Sequence, residues 1–193
     1  MDKTVFNKKE YEIIKKLDSN KFLIHFKGKE CVLFEFDEEG YQDFLSQYKE
    51  LKISGIAIPK LIKKDKKLFK TLVEYIPYEK NVLQVLVDEP ISEKLLTEIF
   101  KISWYARHSN INIDYHPDNF VIFKDQLYYL SFEMTKGYDK ARSFELEGIR
   151  WWFYTKEFYS YCSSKGYVFD KTKIKDEYKT NKEIVLAVCR YQR

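Results

Sequence analysis

A chain of 193 residues and 23.4 kDa is long enough to bury a substantial core in one compact domain or two small lobes. With 45% hydrophobic and 18% aromatic residues it is too rich in Tyr and Phe to be a disordered chain. Its 34 Lys and Arg are interspersed with 30 Asp and Glu, so the net charge is only +4 and no broad cationic field for nucleic acid is indicated.

The first third reads as strands. Tyr11 to Leu17, Lys21 to Phe26 and Glu30 to Phe36 alternate apolar residues such as Phe22, Ile24 and Phe26, with a polar turn at Asp18-Ser19-Asn20 and another at Gly28. They form an antiparallel meander. Tyr41, Phe44, Leu45, Tyr48 and Leu51 then recur at helical spacing, and Gly55 is the stop signal. Ile56 to Ile62 and Leu68 to Tyr75 read as two further strands. In the turn between them, Lys60, Lys63, Lys64, Lys66, Lys67 and Lys70 read as a solvated hairpin tip rather than a phosphate patch. Pro77 ends the pairing, so residues 1–77 are expected to form an N-terminal lobe and residues 78–193 a C-terminal one.

The second part reads as mainly helical. Ser92 is a plausible N-cap for a helix whose buried stripe is Leu95, Leu96, Ile99, Phe100, Ile102 and Ala106. A polar loop follows at Asp114 to Asn119, then a hairpin of Phe120 to Phe123 and Leu127 to Leu130. The aromatic stretch from Gly148 to Cys162 reads as one packed helix with Gly166 as its cap. A last helix from Thr180 to Tyr191 is expected, capped by Thr180 or Asn181, with Ile184, Val185, Ala187 and Val188 turned inward.

Single residues add less. Cys31, Cys162 and Cys189 are an odd number without CxxC spacing among apolar neighbours, which suits buried reduced thiols and no structural zinc. Trp104, Trp151 and Trp152 suit a core role, His25 a half-buried strand position, and His108 a contact with helix-terminal carbonyls. The first nine residues hold no apolar signal core. No stretch approaches the roughly 18 apolar residues of a membrane helix, so a cytoplasmic protein without a membrane is expected.

The order of three strands, a helix, two strands, a hinge-like segment, a long helix, a polar loop and a hairpin resembles the protein kinase-like fold. That fold is α+β and two-lobed, with an N-terminal antiparallel sheet carrying one helix and a helical C-terminal lobe. Ile113-Asp114-Tyr115-His116-Pro117-Asp118-Asn119-Phe120 resembles the D-x-H-P-x-N catalytic loop of RIO-type, aminoglycoside and lipopolysaccharide kinases, a variant of the protein kinase motif H-R-D-x-x-x-x-N. The plain alternative is a polar turn in which Asp114 and Asn119 bond only backbone amides.

The resemblance implies roles. Asp114 would orient the attacking hydroxyl and accept its proton, and Asn119 would hold magnesium against the phosphates of ATP. His116 and Pro117 would stiffen the loop. The backbone of Glu74 and Ile76, in the hinge-like Val73-Glu74-Tyr75-Ile76, would contact adenine. The acceptor, protein or small molecule, stays unknown.

Three departures stand against these roles. Ser131, in Leu130-Ser131-Phe132-Glu133, occupies the position of the family's metal-binding Asp, and a neutral hydroxyl is a poor ligand for magnesium unless Glu133 reaches round. Glu35 follows Val32-Leu33-Phe34 where the family has a phosphate-pairing Lys; Lys27 and Lys29 nearby read as solvated, and Asp43 and Glu50 as surface charges. The turn at Lys16 to Asn20 has no glycine for a phosphate-cradling loop. Two functions follow: an ATP-dependent phosphotransferase of reduced form, or a pseudokinase that binds nucleotide or protein without transfer. A scaffold working through the aromatic C-terminal half is a third.

Overall fold

The computed structural model describes residues 2–174 and 177–191. The fold is mixed α+β and divides into two compact units. One holds the residues up to Lys49 together with Ile58–Pro77, the other Glu50–Ala57 and the chain from Tyr78 onward.

The first unit is a six-stranded antiparallel sheet of β1 (Lys3–Phe6), β2 (Lys9–Asp18), β3 (Lys21–Phe26), β4 (Lys29–Glu35), β5 (Leu61–Asp65) and β6 (Lys70–Glu74), in the order β1-β2-β3-β4-β6-β5. Helix α1 (Glu38–Ser54) begins in this unit, where Asp37 caps it by accepting from the Gly40 amide at 2.8 Å. Phe6, Ile24, Phe26, Cys31, Leu33 and Leu72 form the core of the sheet, with Tyr11, Ile13 and Phe22 packed on it. The opposite face carries Phe34, whose ring lies 5.4 Å from Phe44 of α1.

The sheet curls. Strands β1 and β5 are its two edges, yet Asn7 after β1 donates its amide to Asp65 of β5 at 2.6 Å, and Thr4 of β1 donates to Glu35 of β4 at 2.8 Å. These bonds draw the two edges toward each other at one corner of the sheet. Strand β1 escaped the sequence reading because it has four residues, joined to β2 through a two-residue turn at Asn7 (φ +49°) and Lys8 (φ +65°). Strand β5 runs later than the expected Ile56 to Ile62, into the Lys-rich stretch, because buried Asp65 ends it by accepting the amides of Lys67 and Leu68. The hairpin tip expected there is present, at 66–69. His25 is exposed rather than half-buried.

The second unit takes in the end of α1 and contains α2 (Val82–Asp88), α3 (Glu93–His108), β7 (Ile111–Ile113), β8 (Phe120–Phe123), β9 (Gln126–Tyr129), β10 (Met134–Lys136), α4 (Lys156–Ser164) and α5 (Glu177–Tyr191). Strand β7 pairs antiparallel with β10, and β8 with β9. Ser92 caps α3, as its sequence indicates, by accepting from the Leu95 amide at 3.2 Å. Asn81 and Gln84 form a capping box that starts α2, an element the sequence reading missed. Ile99, Phe120, Tyr129, Phe144, Trp152 and Phe158 are fully buried at the centre.

Four expectations fail in this unit. The aromatic stretch is not one helix. A 3-10 turn at Gly148–Trp151 breaks, and α4 starts afresh behind Thr155, whose hydroxyl accepts from the Phe158 amide at 3.0 Å. Helix α5 already runs from Glu177, so Thr180 and Asn181 lie inside it rather than at its cap, and Val185 faces solvent. Cys189 is exposed while Cys31 and Cys162 are buried, burial pushing the Cys162 thiol up to about 11. Trp104 is exposed rather than in the core, its ring 3.8 Å from His108, which donates to the Trp104 carbonyl at 2.9 Å. Among the described residues no helix is long and apolar enough to cross a membrane.

Candidate functional site

The loop at Asp114 is delivered by β7, a strand of three buried residues. The chain reverses after α3 at Asn110, which takes a left-handed conformation (φ +55°), a state Asn tolerates better than most residues. Asn112 then ties β7 to the chain beyond β10: its amide donates to the Gly137 carbonyl at 2.6 Å and its oxygen accepts from Asp139 N at 2.9 Å. The sequence can therefore stop β7 abruptly and still fix where Asp114 emerges.

Asp114 Oδ1 accepts two hydrogen bonds from one residue, the His116 amide at 3.0 Å and His116 Nδ1–H at 2.5 Å. Asn119, closing the 3-10 turn Pro117–Asn119, donates through Nδ2 to the Asp114 carbonyl at 3.5 Å. The Asp114 amide donates to Tyr129 Oη at 3.2 Å, and that hydroxyl donates to the Glu133 carbonyl at 2.8 Å, so one buried phenol joins the loop to the segment after β9. Burial alone would raise the Asp114 carboxyl. The N–H groups of His116, with help from Asn119, outweigh it and hold it below the usual carboxylate value. Burial raises the Tyr129 hydroxyl, which therefore stays protonated as a donor.

Aromatic residues brace the loop. The His116 ring stacks between Trp151 (3.9 Å) and Tyr161 (4.5 Å). Trp152 donates its indole N–H to the Tyr115 carbonyl at 2.7 Å. Gly148 sits so near that a Cβ there would lie 2.7 Å from Cβ of Tyr115, closer than packed carbons come. Asp118 is held by Tyr161 Oη at 2.5 Å and by Lys165 Nζ at 2.8 Å, so it is structural within the motif.

The metal positions are thinner. Ser131 is partly buried and its hydroxyl lies beside that of Tyr129, while the Glu133 side chain is exposed. Among the described residues no group of three or more His, Cys, Asp or Glu could hold a metal ion by itself.

In the first unit, Glu35 is not an open carboxylate. Lys70, its cross-strand partner, reaches it at 2.5 Å and Thr4 at 2.8 Å, and although burial works to raise it, these bonds hold its carboxyl low. Lys27 and Lys29 are exposed, as is Asp43; Glu50, in the second unit, pairs with Lys136 at 2.8 Å. The Glu74 amide donates to the Lys60 carbonyl at 2.8 Å, and Ile76 is buried. The structure thus brings Asp114, Asn119 and the backbone of Glu133 together in one unit, and Glu74, Ile76 and the closed Glu35–Lys70 pair lie in the other.

Sequence reasoning missed Tyr129, Trp151, Tyr161 and Lys165. Their partners lie on other elements, and no local pattern announces them. Thr155 was the findable signal, since a helix N-cap inside the aromatic stretch marks the break that lets Trp151 and Trp152 turn toward the loop. No protein-family model matches the chain, and no curated protein matches it.

Proposed function

We propose that this chain is a small, atypical member of the protein kinase-like superfamily, akin to RIO-type and lipopolysaccharide kinases, that transfers a phosphoryl group from ATP to the hydroxyl of a protein or small-molecule acceptor. The observation that carries the reading is the Asp114 carboxylate. It is clamped through one oxygen by His116, keeps 39% of its side chain exposed, and shares a braced loop with Asn119. Phosphoryl transfer asks the protein mainly for positioning and charge placement, which a rigid loop of this kind supplies.

Bound ATP supplies the phosphoryl group, and its magnesium neutralises the phosphate oxygens. Asp114, ionised at neutral pH because its carboxyl is held low, orients the acceptor hydroxyl and receives its proton. Asn119 spends its Nδ2 on the loop, which leaves its amide oxygen for a cation. With Ser131 neutral, Asn119 and the Glu133 carboxylate would hold a magnesium ion that arrives on the nucleotide rather than one the protein binds alone. The backbone at Glu74 and Ile76 would meet the adenine.

The second reading is a pseudokinase, a nucleotide- or protein-binding module, and Ser131 with the closed Glu35–Lys70 pair favours it: one removes the metal carboxylate, the other ties up the nearest lysine. The test is thermal stability with ATP, with and without magnesium or manganese, followed by transfer assays. At ATP a hundredfold above Kd, stability rises by about 2.7 kcal/mol. A metal-dependent shift with transfer that falls by about a hundredfold or more in Asp114→Ala is the expected result. A shift without transfer favours the pseudokinase. No shift at millimolar ATP overturns the phosphotransferase and leaves a pseudokinase that binds protein, or a scaffold, as the better reading.

A further inference from the structure

The end of β9 grips the Asp114 loop at two places. The Leu130 amide donates to the Asn119 carbonyl at 2.9 Å, and Tyr129 Oη accepts from the Asp114 amide at 3.2 Å. Tyr129 is itself anchored, with its ring fully buried and its own amide donating to the Ala57 carbonyl at 2.9 Å. Its hydroxyl has a second task, donating to the Glu133 carbonyl four residues on at 2.8 Å. After burial, the charges of Asp114 and Glu133 are what oppose ionisation of this phenol, so it lies near both carboxylates.

The turn that the Tyr129–Glu133 bond closes is strained. Phe132, between Ser131 and Glu133, takes a left-handed conformation (φ +63°) with its ring buried. Bulky side chains rarely adopt that state, and it persists where the surroundings over-determine it. Unlike Lys124 and Asp125, whose left-handed turn is clasped between the paired strands β8 and β9, Phe132 lies outside any strand. The hydroxyl of Tyr129 spans it and fixes the direction of the Glu133 peptide. With Ser131 neutral, Glu133 is the acidic residue of this segment, and its side chain is exposed.

A hydroxyl closed to solvent cannot meet a substrate, so its part in the chemistry is to place other groups. We propose that Tyr129 is a positioning residue for phosphoryl transfer that acts through Glu133, its hydroxyl holding the left-handed turn at Phe132 and with it the carboxylate that would meet magnesium. The role rests on the phosphotransferase reading above. Outer partners of this kind govern metal affinity by orienting the ligands that touch the ion.

The test uses Tyr129→Phe, which keeps the ring and deletes the hydroxyl, with Tyr128→Phe on the other face of β9 as its control. Hydrogen exchange of the Asp114 amide, read by NMR without nucleotide, should quicken about fivefold or more in Tyr129→Phe and stay as in the wild type in Tyr128→Phe. The magnesium needed for half-maximal thermal stabilisation by ATP, and for half-maximal transfer, should rise about tenfold or more in Tyr129→Phe. Glu133→Ala should raise it likewise without quickening the Asp114 amide. Because one residue acts through the other, the double variant should need no more magnesium than Glu133→Ala alone. Additive rises overturn the proposal, as does an Asp114 amide that exchanges at the wild-type rate in Tyr129→Phe. A wild type that transfers beside a Tyr129→Phe that transfers at the same magnesium overturns this role alone. A wild type that neither gains stability from magnesium and ATP nor transfers overturns the phosphotransferase reading, and this role with it. Should Tyr129→Phe not fold, Glu133→Ala, at an exposed side chain, still decides: an unchanged magnesium requirement there overturns the proposal.

Discussion

His116 works by what it holds. Its ring is fixed between Trp151 and Tyr161, and its two N–H groups fix Asp114 Oδ1, so the carboxylate direction is set by a residue that itself has little freedom. The same contacts set the acid response. The Asp114 carboxyl lies below its ordinary value of 3.8, because the His116 bonds exceed the upward push of burial. A folded value below the unfolded one means that stabilisation is complete above about pH 4 and is lost as pH falls through the folded value. Asp114→Asn should therefore flatten the acid limb of melting temperature against pH, the wild type losing more between about pH 4 and pH 2 than the variant. His116→Ala should cost about 1–3 kcal/mol in urea unfolding and move the Asp114 carboxyl upward, readable by carbon NMR. An Asp114 titration unchanged in that variant would mean that His116 does not hold the carboxylate down.

At the scale of elements, legibility followed how local each cause is. Strand β3 was read to the residue, since six alternating positions lie between two turns, and α3 was found from its Ser92 cap. Strand β1 was not, because four residues are too few to show an alternation, and what Thr4 and Phe6 pack against or bond, Glu35, Lys70, Leu33 and Leu72, is distant in sequence. Within the site, Asp114, His116 and Asn119 were legible as one short motif, whereas Tyr129 and Tyr161 act across elements. The aromatic stretch misled because a segment apolar on every side has no periodicity to show a break. Its break lets Trp152 lie under the loop and donate to the Tyr115 carbonyl. Trp152→Phe keeps a buried ring and deletes that donor, so it should cost about 1–3 kcal/mol in denaturant unfolding. Trp152→Ala, which also empties the site, should cost about 3–5 kcal/mol. Equal stability of the Phe variant and the wild type would show that packing alone seats the loop.

Across the molecule, tyrosine shapes the response to alkali as carboxylates shape the response to acid. Sixteen tyrosines are present, and burial raises the hydroxyls of Tyr41, Tyr115, Tyr129, Tyr138, Tyr154 and Tyr161 above their ordinary 10.0. For Tyr161 the Asp118 carboxylate adds to burial by accepting the phenol's proton in a hydrogen bond, and among the described residues Tyr159, beside Lys171, is shifted the other way. The folded chain thus keeps protons that the unfolded chain releases above about pH 10, so stability must fall as pH rises through that point. Each tyrosine that remains protonated when folded and ionises when unfolded contributes up to about 1.4 kcal/mol per pH unit, so Tyr115 and Tyr129 together give a slope of about 3 kcal/mol per pH unit. Melting temperature should therefore stay level from about pH 5 to pH 9 and then fall steeply. Phenolate absorbance of the native chain should lag that of the chain in denaturant until the two converge in a single step at alkaline unfolding. Native and denatured titration curves that coincide from the start would mean that these hydroxyls are open to solvent, and with them the Tyr129 link between the Asp114 amide and the Glu133 carbonyl.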